Sequence, residues 1–272
     1  MVDTTTADDA PLQDAFVEKD LEDLEAEAHE VFRGFSTVAI ELVDALGDSI
    51  SSDSLLDKHG WTLLMQAANS GLRELTDALI AKGVDVNSAG TEKEGATPLY
   101  LALSSDHTAE AMVLLKNGAI ASATKVVRSS LETDANDDGE PEGEQHVEED
   151  CAWFQACRLG QLDVIEEMIA LGVNVNFALP TSGERALHVA VMFEMQDVVE
   201  LLVANDKIEV NAKNTMGQTC LFGCSNVELV QFLVEKAGVD VSVKDDDEET
   251  AYSMAKELGD DAVAELLKSR TT

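Results

Sequence analysis

Residues 95–122 read GATPLYLALSSDHTAEAMVLLKNGAIAS, and the fold turns on them because the same pattern is written again elsewhere. It stands at 60–87 as GWTLLMQAANSGLRELTDALIAKGVDVN and at 151–176 as CAWFQACRLGQLDVIEEMIALGVNVN. Thr62 and Thr97 lie 35 residues apart, as do Gly83 and Gly118, and the VNVN ending at Asn176 returns 35 residues later as the IEVN ending at Asn211. A fixed period of this size is the mark of stacked structural repeats. A last variant, GQTCLFGCSNVELVQFLVEKAGVDVS, begins at Gly217. Its Thr219-to-Gly238 distance is two residues shorter than Thr62 to Gly83, which predicts that one helix or its turn is trimmed.

One unit can be read physically. A Gly-x-Thr turn caps a short first helix, because the Thr hydroxyl accepts from otherwise unpaired backbone N–H groups. Small residues such as Ala67, Ala68, Ala102, Ala156, Cys157 and Ala190 let neighbouring units approach closely. A polar or Gly turn follows, at Gly71 and Gly160 for example. A second helix then carries apolar pairs on its inner face, such as Val164, Ile165, Met168 and Ile169. It closes on Gly83, Gly118, Gly172 or Gly238, where a left-handed turn suits glycine.

These units resemble ankyrin repeats. Thr97-Pro98-Leu99-Tyr100 is similar to the family's Thr-Pro-Leu-His start, Ala186-Leu187-His188-Val189-Ala190 to the same stretch in another unit, and Gly83-Val84-Asp85-Val86-Asn87 to its closing Gly-Ala-Asp-Val-Asn. The resemblance runs from about Asp57 to the C-terminus. It implies an all-α solenoid with short β-hairpin turns, about six helix pairs long, and a hydrogen-bonding role between hairpins for His188.

The expected organisation is an acidic, disordered segment at 1–24, an N-terminal cap at 25–56, and repeats at 57–122, 151–178, 179–213 and 214–242. A C-terminal cap follows at 243–272, because a solenoid needs a polar outer face on its end units. Residues 123–150 interrupt the period. Within them LETDANDDGEPEGEQHVEED holds ten acids and no Lys or Arg, which predicts a flexible acidic loop on the hairpin side.

The whole chain has 272 residues, 54 Asp or Glu against 18 Lys or Arg, and a formal net charge of −36. That balance argues against a nucleic-acid binder or an anionic membrane surface as partner, since phosphate needs a basic face. Yet 45% of residues are hydrophobic, enough for a packed core. The N-terminus lacks a basic region followed by an apolar run, and four cysteines do not suggest a disulfide scaffold. A cytoplasmic protein is expected, with the nucleus as the other possibility, and a monomer when free.

Three kinds of chemistry suggest themselves. Asp134, Asn136, Asp138 and Gly139 begin like an EF-hand calcium loop, but its twelfth position is Gln145 instead of Glu and Pro141 intrudes. A solvated loop is the expectation. Cys220 and Cys224 are four apart, but in the repeat alignment they and Cys157 take Pro and Ala positions, where Cys acts as a small hydrophobe. His59, His107 and His146 have no ligand spacing to a Cys pair. No nucleophile elbow, phosphate loop or metal-binding helix is visible, so neither enzyme activity nor a cofactor or metal is expected.

Binding remains. In solenoids of this type, hairpin tips and first-helix positions form the concave recognition face. Those positions give Lys58, His59, Trp61, Gln66, Asn69, Leu101, Arg158, Met192, Phe193 and Met216 as candidate partner-binding residues, with Ala96, Ser104, Gln155, Val189 and Gln218 beside them. Trp61, Met192, Phe193 and Met216 are the candidate apolar anchors, whereas Trp153 is expected in the core. The reading is a non-enzymatic interaction module for a basic protein partner, ribosomal or histone-like, acting as escort, chaperone or adaptor. Two alternatives stand beside it: a charge-independent scaffold or inhibitor gripping through the apolar anchors, and a calcium-responsive adaptor using 134–145.

Overall fold

The computed structural model describes residues 60–89, 95–129 and 146–270, together with Thr37, Ile40 and Glu41. The N-terminal segment, most of the expected N-terminal cap and the Asp134–Gln145 loop lie outside the described residues.

Helices alternate along the chain in pairs. The first unit is α1 (Leu63–Asn69) and α2 (Arg73–Ala81), the second α3 (Pro98–Ser104) and α4 (Thr108–Lys116). After an inserted ribbon come α5 (Ala152–Leu159) and α6 (Leu162–Ala170), then α7 (Ala186–Met192) and α8 (Gln196–Val203). Helix α9 (Val227–Phe232) has no first-helix partner, and α10 (Ala251–Leu258) and α11 (Asp261–Lys268) close the stack. First helices pack on first helices, α1 on α3 on α5 on α7, while α2, α4 and α6 form a second row.

Thr62 and Thr97 cap as the Gly-x-Thr turns predict, whereas Thr219 does not. Thr62, Thr97 and Thr250 accept from the backbone N–H groups of Met65, Tyr100 and Ser253 at the starts of α1, α3 and α10. The second helices start differently. Leu72, His107, Gln161 and Met195 make no side-chain cap bond, but each helix has an acid in its first turn: Glu74, Glu110, Asp163 and Asp197. A carboxylate there complements the positive end of the helix dipole, so part of the acidity of the repeat body serves the helices themselves.

The core is one continuous stripe. Leu64, Leu75, Leu99, Leu103, Leu114, Ile165, Met168 and Leu202 are fully buried between units. Trp153 and Phe154 are buried as well, the former as expected, and Phe154 meets Phe177 with ring centroids 6.1 Å apart. A recurring asparagine ties each unit to the next. Asn87 Oδ1 accepts from Ile120 N–H (2.8 Å) and its Nδ2 donates to Gly118 O (3.1 Å). Asn176 repeats both bonds with Glu209 N–H and Lys207 O, and Asn211 accepts from Asp240 N–H.

The shortened unit resolves in an unexpected way. From Thr219 to the N-cap Asn226 is seven residues, where Thr62 to the N-cap Leu72 is ten, so the first helix is reduced to a turn. The second helix runs from Asn226 to Gly238 over twelve residues, against eleven from Leu72 to Gly83. The extra residue is absorbed in a π-helical turn at Leu233–Ala237, the usual fate of a single insertion in a helix. Three lost and one gained give the two-residue deficit.

The insertion corrects an expectation. Its ends are strands, β1 (Thr124–Ser129) and β2 (His146–Cys151), paired antiparallel with Thr124 opposite Cys151 and Ser129 opposite His146. A repeat hairpin is drawn out here into a two-stranded ribbon whose base is closed by Trp153 N–H donating to Ala121 O (2.9 Å). No helix among the described residues is long and apolar enough to cross a membrane.

Candidate partner-binding surface

Across α1, α3, α5 and α7, Arg158 is the only Asp, Glu, Lys or Arg. The second helices α2, α4, α6 and α8 carry eight acids against Arg73 and Lys116. The repeat body is therefore sorted: an almost uncharged first-helix row and an acidic second-helix row.

On the first-helix row lies a polar relay centred on Asp150, the last acid of the insertion, whose side chain is 7% exposed. Its Oδ2 accepts from Tyr100 Oη (2.9 Å) and Arg158 Nη1 (2.8 Å), and its Oδ1 from Cys151 N–H (2.9 Å). Arg158 Nη1 also donates to Gln155 Oε1 (2.6 Å), and the guanidinium lies 5.1 Å above the Phe193 ring, within cation–π range. Burial first, then the Asp150 charge, pushes the Tyr100 phenol up to about 12, so it stays a hydrogen-bond donor. The relay joins α3, β2, α5 and the end of α7. A buried carboxylate met by three donors is satisfied in place, and its chemistry here is anchoring.

Phe193 is the exposed apolar group that meets the relay, Met192 adjoins it in the chain, and Met216 lies on a hairpin tip. Met192 is 59% exposed, Phe193 41% and Met216 55%. Met216 sits at a hairpin tip held close to the next one: Asp246 N–H donates to Met216 O (3.0 Å), and a Cβ on Gly217 would lie 2.8 Å from Asp246 Oδ1. Only glycine fits there, at φ 77°. The preceding tips are tied likewise, Thr215 N–H to Ser182 O (2.9 Å) and Thr181 N–H to Glu149 Oε2 (2.8 Å). The tips thus form a ledge from the ribbon base to the acidic turn at Asp245–Glu249.

Other candidate residues are placed differently. Leu101 is buried at 7% exposure, because α3 is packed between α1 and α5, and this removes it from the surface. Gln155 and Val189 are also buried. Trp61 is half-buried instead of fully displayed, as are Gln66 and Asn69, and Asn69 Oδ1 accepts from Ser105 Oγ (3.0 Å). Gln218 is half-buried; Ala96 is half-buried and Ser104 exposed. Lys58 and His59 lie outside the described residues. The structure therefore brings together Arg158 and Phe193, with Met192 next to Phe193 in the chain. Sequence reasoning missed Asp150 and Tyr100; the only sign of Asp150 was its place at the end of the acidic run.

His188 is buried and spans two hairpins. Its Nε2 meets Gln218 O at 3.2 Å, and its Nδ1 accepts from Arg185 N–H at 3.4 Å. All four cysteines are free thiols and buried. Burial pushes Cys151 and Cys220 up to about 12, Cys224 to about 11 and Cys157 upward too, so they stay protonated and poor nucleophiles. Among the described residues no group of three His, Cys, Asp or Glu could hold a metal ion.

The family model for ankyrin repeats in three copies matches residues 33–125 and 119–214. Over 88 residues the chain is 28% identical to ankyrin repeat-containing protein P1E11.10 of Schizosaccharomyces pombe, covering 32% of this chain and 42% of that protein, less than half of the relative's length. Among solved structures, the human ASB11 ankyrin repeat domain matches with TM-score 0.63 at 21% identity, covering 88% of this chain and 96% of that one. The Bdellovibrio bacteriovorus structure of the Bd0816 predatory endopeptidase with immunity protein Bd3460 matches at 0.58 and 24% identity, covering 78% and 98%. The 35-residue period, the paired helices and these matches agree: the chain belongs to the ankyrin-repeat family, whose repeats indicate a protein–protein interaction module and are generally non-enzymatic.

Proposed function

We propose that this chain binds a protein partner with a basic surface, acting as its escort or adaptor, in the cytoplasm or nucleus. The observation that carries the reading is the sorting of the repeat body. Met192 and Phe193 stand exposed at the end of a helix of the almost uncharged first-helix row and Met216 at a hairpin tip, while acids crowd the second helices, the ribbon strand β2 and the turn at Asp245–Glu249. Exposed apolar groups supply short-range affinity. The long-range field of a chain at −36 attracts a basic partner and raises its rate of encounter. Four unpaired thiols suit a reducing compartment.

The test is affinity capture from the native source at low salt, with identification of what elutes as salt rises. Basic proteins that elute progressively with salt are expected. Capture that is unchanged from low to high ionic strength removes the electrostatic part. A second reading, a scaffold indifferent to charge, is favoured by the exposure of Phe193 and Met192 alone. It requires Phe193→Ala to abolish capture at every salt concentration.

A further inference from the structure

Strands β1 and β2 form a sheet of two, so each has one edge whose backbone groups pair with no other strand among the described residues. An open edge of this kind is a template for another strand. The two strands differ in charge by sequence. β1, TKVVRS, carries Lys125 and Arg128; β2, HVEEDC, carries Glu148, Glu149 and Asp150 without Lys or Arg. The register sets Lys125 opposite Asp150. Within the chain, β2 already pairs with a basic strand built around two valines.

The base of β2 is fixed. Asp150 is held by Tyr100, Arg158 and the Cys151 N–H, and Glu149 by the Thr181 N–H. A strand fixed before binding loses less freedom when another is added. Two copies of this chain meeting edge to edge about a two-fold axis would set β2 acids against β2 acids, or β1 bases against β1 bases. Like charges directly opposite in a ladder are destabilising. The occupant that fits is therefore a different protein.

We infer that the outer edge of β2 is a strand-addition site for an extended segment of the partner, with Lys or Arg alternating with β-branched residues. This rests on the basic-partner reading above and adds how the partner's backbone is held. Ladder hydrogen bonds would give affinity, and the negative charge of half-buried Glu149 beside that edge would favour basic strands over acidic ones.

The test uses the full-length protein and a short synthetic peptide alternating lysine and valine. Two comparison peptides are needed, one N-methylated on alternate backbone amides and one with glutamate for lysine. Binding of the parent peptide should slow amide exchange within 146–151. N-methylation should weaken it by about tenfold or more, the loss of one or two net ladder bonds, and the glutamate peptide should not bind. If the N-methylated peptide binds as well as the parent and salt releases both, strand addition is wrong while the basic-partner reading stands. If the lysine peptide binds no better than the glutamate peptide, the basic-partner reading itself fails. Protection that falls on 186–193 in place of β2, or protein mass that rises with concentration as β2 amides become protected without peptide, also overturns the assignment.

Discussion

His188 shows how one side chain joins two hairpins and makes the join pH-dependent. In the neutral ring Nδ1 accepts from Arg185 N–H while Nε2 donates to Gln218 O. Protonation would turn Nδ1 from acceptor to donor opposite that N–H. Burial, with the Arg185 charge adding to it, lowers the His188 pKa below its ordinary 6.5. The unfolded chain then binds more protons than the folded one in the interval below 6.5, so stability rises with pH across it. The contribution is fully present above 6.5 and is lost as pH falls towards the folded pKa. Thermal unfolding between about pH 8 and pH 5 should therefore cost the native protein more stability than His188→Gln, and parallel curves would show that the ring is not the titrating group. The position of His188 in the repeat was legible in sequence, and so was its role through family resemblance. Its depressed pKa was not, because burial depends on the hairpin stacked above it.

Capping threonines provide the contrast at the level of elements. Thr97 starts α3 and its hydroxyl accepts from Tyr100 N–H (3.2 Å). Thr219 occupies the same place in a unit whose first helix is only a turn, and its buried hydroxyl has no hydrogen-bond partner. A satisfied cap is worth about 1 kcal/mol, whereas a buried unsatisfied hydroxyl costs about 1–3 kcal/mol. Thr97→Val should thus destabilise by about 1 kcal/mol and Thr219→Val should be neutral or stabilising, as read from urea unfolding midpoints. Equal losses in both would mean that Thr219 does cap structure in solution. The two-residue deficit in this unit was visible from the spacing of Thr219 and Gly238. Where it fell was not, since a loss of three residues in the first helix with a gain of one in the second gives the same net deficit as a loss of two from either. The ribbon was hidden for a related reason: the acidic composition of 131–150 masks strand pairing at the ends of the insertion, and pairing joins residues from Ser129 and His146 out to Thr124 and Cys151, far beyond any local period.

For the molecule as a whole, the charge of −36 is a stability problem as well as a recognition device. Arg73–Asp77, Lys244–Glu248 and Lys268–Glu265 are ion pairs with exposed partners, each worth little. Repulsion among the acids should dominate. Raising NaCl from about 0.01 M to about 1 M shortens the screening length from about 30 Å to about 3 Å, and the melting temperature should rise over that range. A fall would show that ion pairs outweigh repulsion. The same salt that steadies the fold should weaken capture of a basic partner, which separates the two roles of the charge. By itself the sequence determined the repeat, its period, its helix caps and most of its core, because each unit buries its apolar face against neighbours built to the same pattern. Only the tertiary structure decided that Leu101 is covered, that Asp150 is a buried anchor shared by Tyr100 and Arg158, and that the two ends of the acidic insertion pair as strands. Those outcomes depend on groups from different units meeting in space, and no local periodicity encodes such meetings.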